Sequence, residues 1–246
     1  MAAVTSDMNA PPGPARWGMG DAVGGWLLAY LSAMVLGALL YSVAGYSAEE
    51  IENNEIPLTM VALSYPPLWL GFVGVPIWAA ATKGNGWVRD FRARLVAKSL
   101  PTAAVVGVAA QLVVVPLVSW PMLWLTDTTA EELGRPAREL SEKAVGAGGI
   151  FLFILIVGIG APLAEELFFR GLVMRSLEKR FGLRWAVAGS SVLFGATHFQ
   201  FLQFPALTCA GLVFAWLVVR YDSLWSGVVG HMTFNMVTVV SLIWLT

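Results

Sequence analysis

Six stretches of this chain contain no Asp, Glu, Lys or Arg at all: 22–48, 56–82, 99–126, 144–164, 185–219 and 223–246. A helix crosses a bilayer with about 20 largely apolar residues, and each stretch reaches that length. The longest, 185–219, suffices for two short crossings, so the pattern predicts about seven spans. In lipid every backbone N–H and C=O must find its partner within the protein. With no alternating strand pattern, the expectation is an all-α, polytopic transmembrane helical bundle. Charged residues make up 13% of the 246, against about a quarter in a soluble domain.

The connections alternate in charge. Segment 47–55 carries Glu49, Glu50, Glu52 and Glu55 and no base, and 126–146 is net acidic. Segment 83–98 carries Lys83, Arg89, Arg92, Arg94 and Lys98 against Asp90, and 170–184 carries Arg170, Arg175, Lys179, Arg180 and Arg184 against Glu178. Basic residues collect on the cytoplasmic side. Twelve of the fifteen fall on one side if the N-terminus is inside, which predicts a cytoplasmic N-terminus, an outer C-terminus after seven spans, and a multi-pass protein of a bacterial-type plasma membrane. The first span is too long for a removed signal peptide and lacks a small-residue cleavage site. Residues 1–20, rich in Ala, Pro, Gly and Met, read as a disordered cytoplasmic tail. Residues 21–144 read as three N-terminal spans with their loops, and 145–246 as a second unit of four spans. The outer segment 127–143 has helical spacing and Glu/Arg pairs and reads as a solvated loop helix. A net charge of −1 gives no reason to expect nucleic acid as a partner, and membrane lipid is the expected surroundings. The single cysteine, Cys209, has no internal disulfide partner.

Ionisable side chains at membrane depth are costly and mark function by default. Here they concentrate in the C-terminal four spans: Glu165, Glu166 and Arg170 behind the apolar run 150–163, His198 and His231 inside apolar runs, and Asn235 one turn beyond His231. Glu165 lies 17 residues before Gly182 and His198 lies 16 after it. Two helical arms from that turn rise about 25 Å each, which puts the two residues at similar height on neighbouring helices. His231 and Asn235 lie roughly 13 and 20 Å along the last helix by the same count. Pro162 predicts a kink just before the glutamates.

Spacing separates the glutamates. Glu166 and Arg170 are i, i+4 neighbours and can pair, either as a structural ion pair or as a support for the site. Glu165 points about 100° away and lacks that partner, which frees it to act as general base or acid. His231 and Asn235 share one face and carry donors suited to a developing oxyanion. Ser64, Tyr65 and Gln111 read as helix–helix hydrogen bonds, and Gln200 and Gln203 as a connection that can line an entrance. There is no H-E-x-x-H helix, G-x-S-x-G elbow or P-loop.

The three segments Glu165-Glu166-Leu167-Phe168-Phe169-Arg170, Phe194-Gly195-Ala196-Thr197-His198 and His231-Met232-Thr233-Phe234-Asn235 resemble the three motifs of the CPBP family, also called the ABI family. It contains the type II CAAX prenyl endopeptidases and the bacteriocin-processing enzymes. The likeness covers about residues 145–246 and implies a catalytic transmembrane domain there. It implies an intramembrane endopeptidase acting on membrane-associated protein or peptide substrates. By position, Glu165 would activate water and His198 would help hold or activate it. His231 and Asn235 would form the oxyanion site, and Glu166 and Arg170 would orient the first motif helix. The family is described both as metalloprotease and as a metal-free glutamate protease. Glu165, His198 and His231 make a possible Zn2+ set with an open position. Asn235 is an unusual zinc ligand, so the expectation is that no cofactor is required. Two other classes compete: an ion-coupled transporter or channel, which would favour paired inverted repeats, and a non-catalytic membrane scaffold, which would leave Glu165 and His198 freely replaceable.

Overall fold

A computed structural model describes residues 13–245, and those residues form helices and connections with no strand. Six helices are long and apolar enough to cross a membrane: α1 (Met19–Val43), α2 (Leu58–Lys83), α3 (Ala97–Thr126), α5 (Gly146–Phe181), α7 (Phe204–Tyr221) and α8 (Leu224–Leu245). The amphipathic α4 (Ala130–Glu142) lies between α3 and α5. The apolar but short α6 (Leu183–Ala196, 14 residues) lies between α5 and α7. The seven expected spans are therefore six full-length helices and one short one. The run 185–219 is divided unequally because the chain leaves helical geometry at Thr197–Phe199, where Phe199 has φ +55°. The protein is an integral multi-pass helical bundle.

The connections sort by charge to the two ends of the bundle. At the acidic end, the Lys143 ammonium donates to the carbonyls of Asn54 and Ile56, and Asn54 donates to Glu139 (3.3 Å). There the Gln203 amide donates to the Leu133 carbonyl (2.6 Å), so α4 is tied down over the 197–203 connection rather than freely solvated. At the basic end, Arg92 and Arg94 both pair with Asp222, and Lys83 pairs with Asp21 (2.5 Å). The tail expected over 1–20 differs over its described part. Residues 1–12 lie outside the described residues, but Trp17 is buried, its indole N–H donates to Asp90 (2.8 Å), and Met19 opens α1. A tryptophan next to a carboxylate and a lysine (Lys179 lies 3.2 Å from its ring centroid) has both apolar burial and polar partners, enough to hold the segment.

The prolines inside spans do not simply kink them. α2, α3 and α5 each widen into a π turn that ends two residues before a proline: Leu70–Gly74 before Pro76, Ala110–Val114 before Pro116, and Ile154–Gly160 before Pro162. A helical proline removes one N–H and crowds the carbonyl four residues back. The extra residue of a π turn relieves that crowding, and before Pro162 the irregularity expected of the helix takes the form of a π bulge. A further π turn, Leu167–Val173, begins directly after Glu166 and has no proline behind it.

One apolar core runs through both halves, from Trp17, Ala29 and Phe72 to Phe168, Phe194, Phe214 and Phe234. α3 packs along α8 at glycine contacts. A Cβ on Gly107 would run into the Gly230 carbonyl and the Thr233 hydroxyl. Backbones that close leave no room for a methyl group. Gly107→Ala is therefore expected to destabilise the bundle by about 1–3 kcal/mol. Unfolding in detergent micelles checks this, with Gly24→Ala, which meets nothing within 4 Å, as the neutral comparison.

Candidate active site

The site begins with a carboxylate that has no access to water. Glu166 and Arg170 of α5 are both fully buried, and their charged groups pair at 3.0 Å. The same oxygen, Glu166 Oε1, accepts from His231 Nδ1–H on α8 (3.0 Å). Arg170 Nη2 donates to the Gly211 carbonyl on α7 (2.8 Å). Its guanidinium lies 4.6 Å from the centroid of Phe194 on α6 and 5.6 Å from that of Phe214 on α7. Phe214 in turn stacks on the His231 imidazole (4.4 Å, 17°). Four helices thus close on one ion pair. The glycines make the approach possible: a Cβ on Gly227 would sit 2.9 Å from Glu166 Oε2, and one on Gly211 would sit 3.2 Å from Arg170 Nη2.

Glu165 faces differently. Its side chain keeps 19% of its exposure, and His231 Nε2 lies 3.8 Å from its carboxylate. Adjacent residues on one helix therefore serve opposite ends: Glu166 is sealed into the packing, and Glu165 is left on the open side. His231 bridges them, with Nδ1 toward Glu166 and Nε2 toward Glu165. Since Nδ1 donates to a carboxylate, a neutral His231 presents a lone pair at Nε2.

His198 lies on the turn just beyond α6 and not within a span. Its Nδ1–H donates to the Phe194 carbonyl (2.7 Å). A carbonyl can only accept, so the neutral ring carries its lone pair on Nε2. Both imidazoles rest against Phe194, at 4.9 and 5.5 Å between centroids. Asn235 is partly committed elsewhere: its Nδ2 donates to the Val157 carbonyl in the π turn of α5 (2.8 Å). A π turn frees a carbonyl from its usual helical partner, and the asparagine one turn beyond His231 takes it up. The second amide hydrogen and the amide oxygen are left for other uses.

Some contributors were not singled out in the sequence. Tyr30 of α1 is one; it lies within electrostatic reach of the Glu165 carboxylate, as does Tyr65 of α2, which the sequence marks only as a helix–helix hydrogen bond. A tyrosine within the apolar run 22–48 was the available signal, since a hydroxyl at depth needs a partner. Phe214, Gly211 and Gly227 carried no signal, because an apolar residue or a glycine in a span is ordinary.

Glu165, His198 and His231 do not form a metal cage. Among the described residues no three His, Cys, Asp or Glu side chains are grouped so as to hold a metal ion. One nitrogen of each imidazole is engaged by the protein, and Nε2 of each is left as the atom that can meet a ligand.

Comparison with known proteins falls on this same region. Residues 147–237 match the family model described as type II CAAX prenyl endopeptidase, Rce1-like. All three motifs lie inside the match. That segment is similar to the family over little more than a third of the chain. YdiL of Bacillus subtilis (strain 168), a protein named as a membrane peptidase, is 29% identical over 89 residues, which is 36% of this chain and 36% of that protein. The alignment thus spans about a third of that relative's length. No solved structure matches the chain. The matched segment begins near the start of α5 and ends within α8, so α1, α2 and α3 lie outside it.

Removing one partner of a buried ion pair leaves the other charge uncompensated, at about 3–5 kcal/mol. Arg170→Ala is expected to lose folded protein on that scale. Arg170→Lys is expected to rescue little, because a lysine cannot reach Glu166 and the Gly211 carbonyl together from one planar group. The folded yield in detergent, read by size exclusion and thermal unfolding, measures both.

Proposed function

We propose that this chain is an intramembrane endopeptidase, hydrolysing peptide bonds of membrane-associated protein or peptide substrates. The observation that carries the reading is the division of labour between two consecutive carboxylates. Glu166 is fully buried against Arg170 and His231, and Glu165 is partly open and forms no ion pair with Arg170. A carboxylate at this depth serves no packing purpose that its neighbour does not already serve.

In this mechanism Glu165 and the Nε2 lone pair of His198 hold one water molecule. Glu165 takes a proton as the water oxygen bonds to the substrate carbonyl carbon. The carbonyl oxygen becomes an oxyanion. Collapse re-forms the carbonyl, breaks the C–N bond, and returns the proton from Glu165 to the leaving amine. His231 can donate to the oxyanion only with Nε2 protonated as well as Nδ1. The two carboxylates facing its ring balance that charge. The free amide hydrogen of Asn235 supplies the second donor. Arg170 touches no reacting atom; through Glu166 it fixes the His231 ring. The chemistry proceeds from the chain's own groups without a metal. The basic end faces the cytoplasm on the same reading.

Glu165→Gln is expected to lower cleavage by roughly 10²–10⁴-fold with the fold intact. Membrane proteomes from cells carrying the wild-type chain or Glu165→Ala would identify the substrate as a fragment that disappears. Full cleavage by Glu165→Gln would reject the mechanism. Dialysis against a strong chelator is expected to leave the rate unchanged. A rate lost there and restored by zinc ions would replace the metal-free mechanism with a metal-dependent one.

A further inference from the structure

His198 is an unusual place for a reactive group. It stands on an irregular turn, outside any helix, and the next residue, Phe199, is in the left-handed region at φ +55°. That conformation is uncommon for a bulky side chain and persists only where surrounding contacts hold it. α6 itself provides part of the hold, through the His198 Nδ1 bond to Phe194 and the backbone N–H groups of Thr197 to Leu193 and Phe199 to Ala196. None of these contacts touches the Phe199 ring.

A further restraint, on the side chains of the turn, comes from the first helix. The Tyr30 hydroxyl donates to the Thr197 carbonyl (2.6 Å), and the Tyr30 ring meets the Phe199 ring edge to face (5.4 Å, 89°). One side chain therefore grips the residue before His198 and the residue after it. Tyr30 is held in turn by Trp26 (4.8 Å) and Phe72 (6.1 Å), so the grip is anchored in α1 and α2. Its hydroxyl also lies within electrostatic reach of Glu165. The 167 residues between Tyr30 and Thr197 leave no local reason for the contact. Tyr30 also lies outside residues 147–237.

We propose that Tyr30 is a positioning residue for His198, clamping the Thr197–Phe199 turn so that the imidazole Nε2 is held toward Glu165. The N-terminal helices thereby complete the site and do more than anchor it. The catalytic part of this inference rests on the endopeptidase reading; the structural part does not.

The chain has only two histidines, so ¹⁵N-histidine labelling of the full-length protein in micelles gives one signal set for each ring. In the wild type, His198 is expected as a single Nδ1–H tautomer. Tyr30→Phe keeps the ring contact and removes the hydroxyl. It is expected to bring His198 into tautomer exchange and move its titration, with His231 signals unchanged. Tyr30→Leu, which removes both contacts, is expected to do so more strongly. On the substrate identified by the proteome comparison, Tyr30→Phe is expected to lower kcat by roughly tenfold with KM unchanged, as misorientation does.

Unchanged His198 signals in both variants would overturn the clamp. Altered signals with an unchanged kcat would overturn its role in positioning for catalysis. A general loss of His231 signals along with His198 would show a merely structural tyrosine and overturn it equally. If Glu165→Gln still cleaves, the endopeptidase mechanism fails on its own, and the tautomer measurement still decides the clamp.

Discussion

Everything at the centre of this bundle is arranged around the buried pair of Glu166 and Arg170. Two charges taken out of water cost several kcal/mol each, and mutual attraction offsets this only with good geometry and further hydrogen bonds. The chain supplies those from three neighbouring helices: an imidazole on α8, a carbonyl on α7, and aromatic faces from α6 and α7. An ion pair with such demands accepts few alternative arrangements of the helices around it. The registers of α5, α7 and α8 are fixed to one another, and His231 is oriented as a result. Glu165, one residue away, inherits a precise location without spending its own carboxylate on packing.

Much of this was legible in the sequence because membranes make the relevant signals coarse. Uncharged runs longer than 20 residues locate spans, and an i, i+4 spacing of Glu166 and Arg170 fixes a shared face wherever the helix lies. What could not be read depends on departures from regular helix. The unequal division of 185–219 follows from a backbone reversal at Phe199 that no glycine or proline announces. Asn235 reads as an oxyanion donor by spacing, yet half of its donor capacity goes to a carbonyl that only the π turn at 154–160 exposes. The Trp17 segment reads as tail by composition, while its anchors, Asp90 and Lys179, are far away in sequence. Tyr30 was overlooked for the same reason: its partner is 167 residues distant.

The π turns add a physical theme that composition alone hides. Where a proline follows, the bulge is an accommodation to a missing donor and a crowded ring. The turn at Leu167–Val173 has no such cause and begins at the motif glutamates. Phe168, Phe169 and Arg170 all lie within it and are all buried, so the widened turn directs three large side chains inward over a short stretch of helix. The π turn thus lies where α5 is enclosed all round, residues 168–176 being buried without a break.

The shortness of α6 has a consequence for the surrounding lipid. Fourteen residues rise about 21 Å, well below the roughly 30 Å of a hydrocarbon core. The polar turn at its end therefore sits under the level of the headgroups. A bilayer meets such a mismatch by thinning locally. The chain itself also answers the shortfall: Gln203 ties α4 to the connection just beyond α6, so a helix of the protein attends the end that falls short.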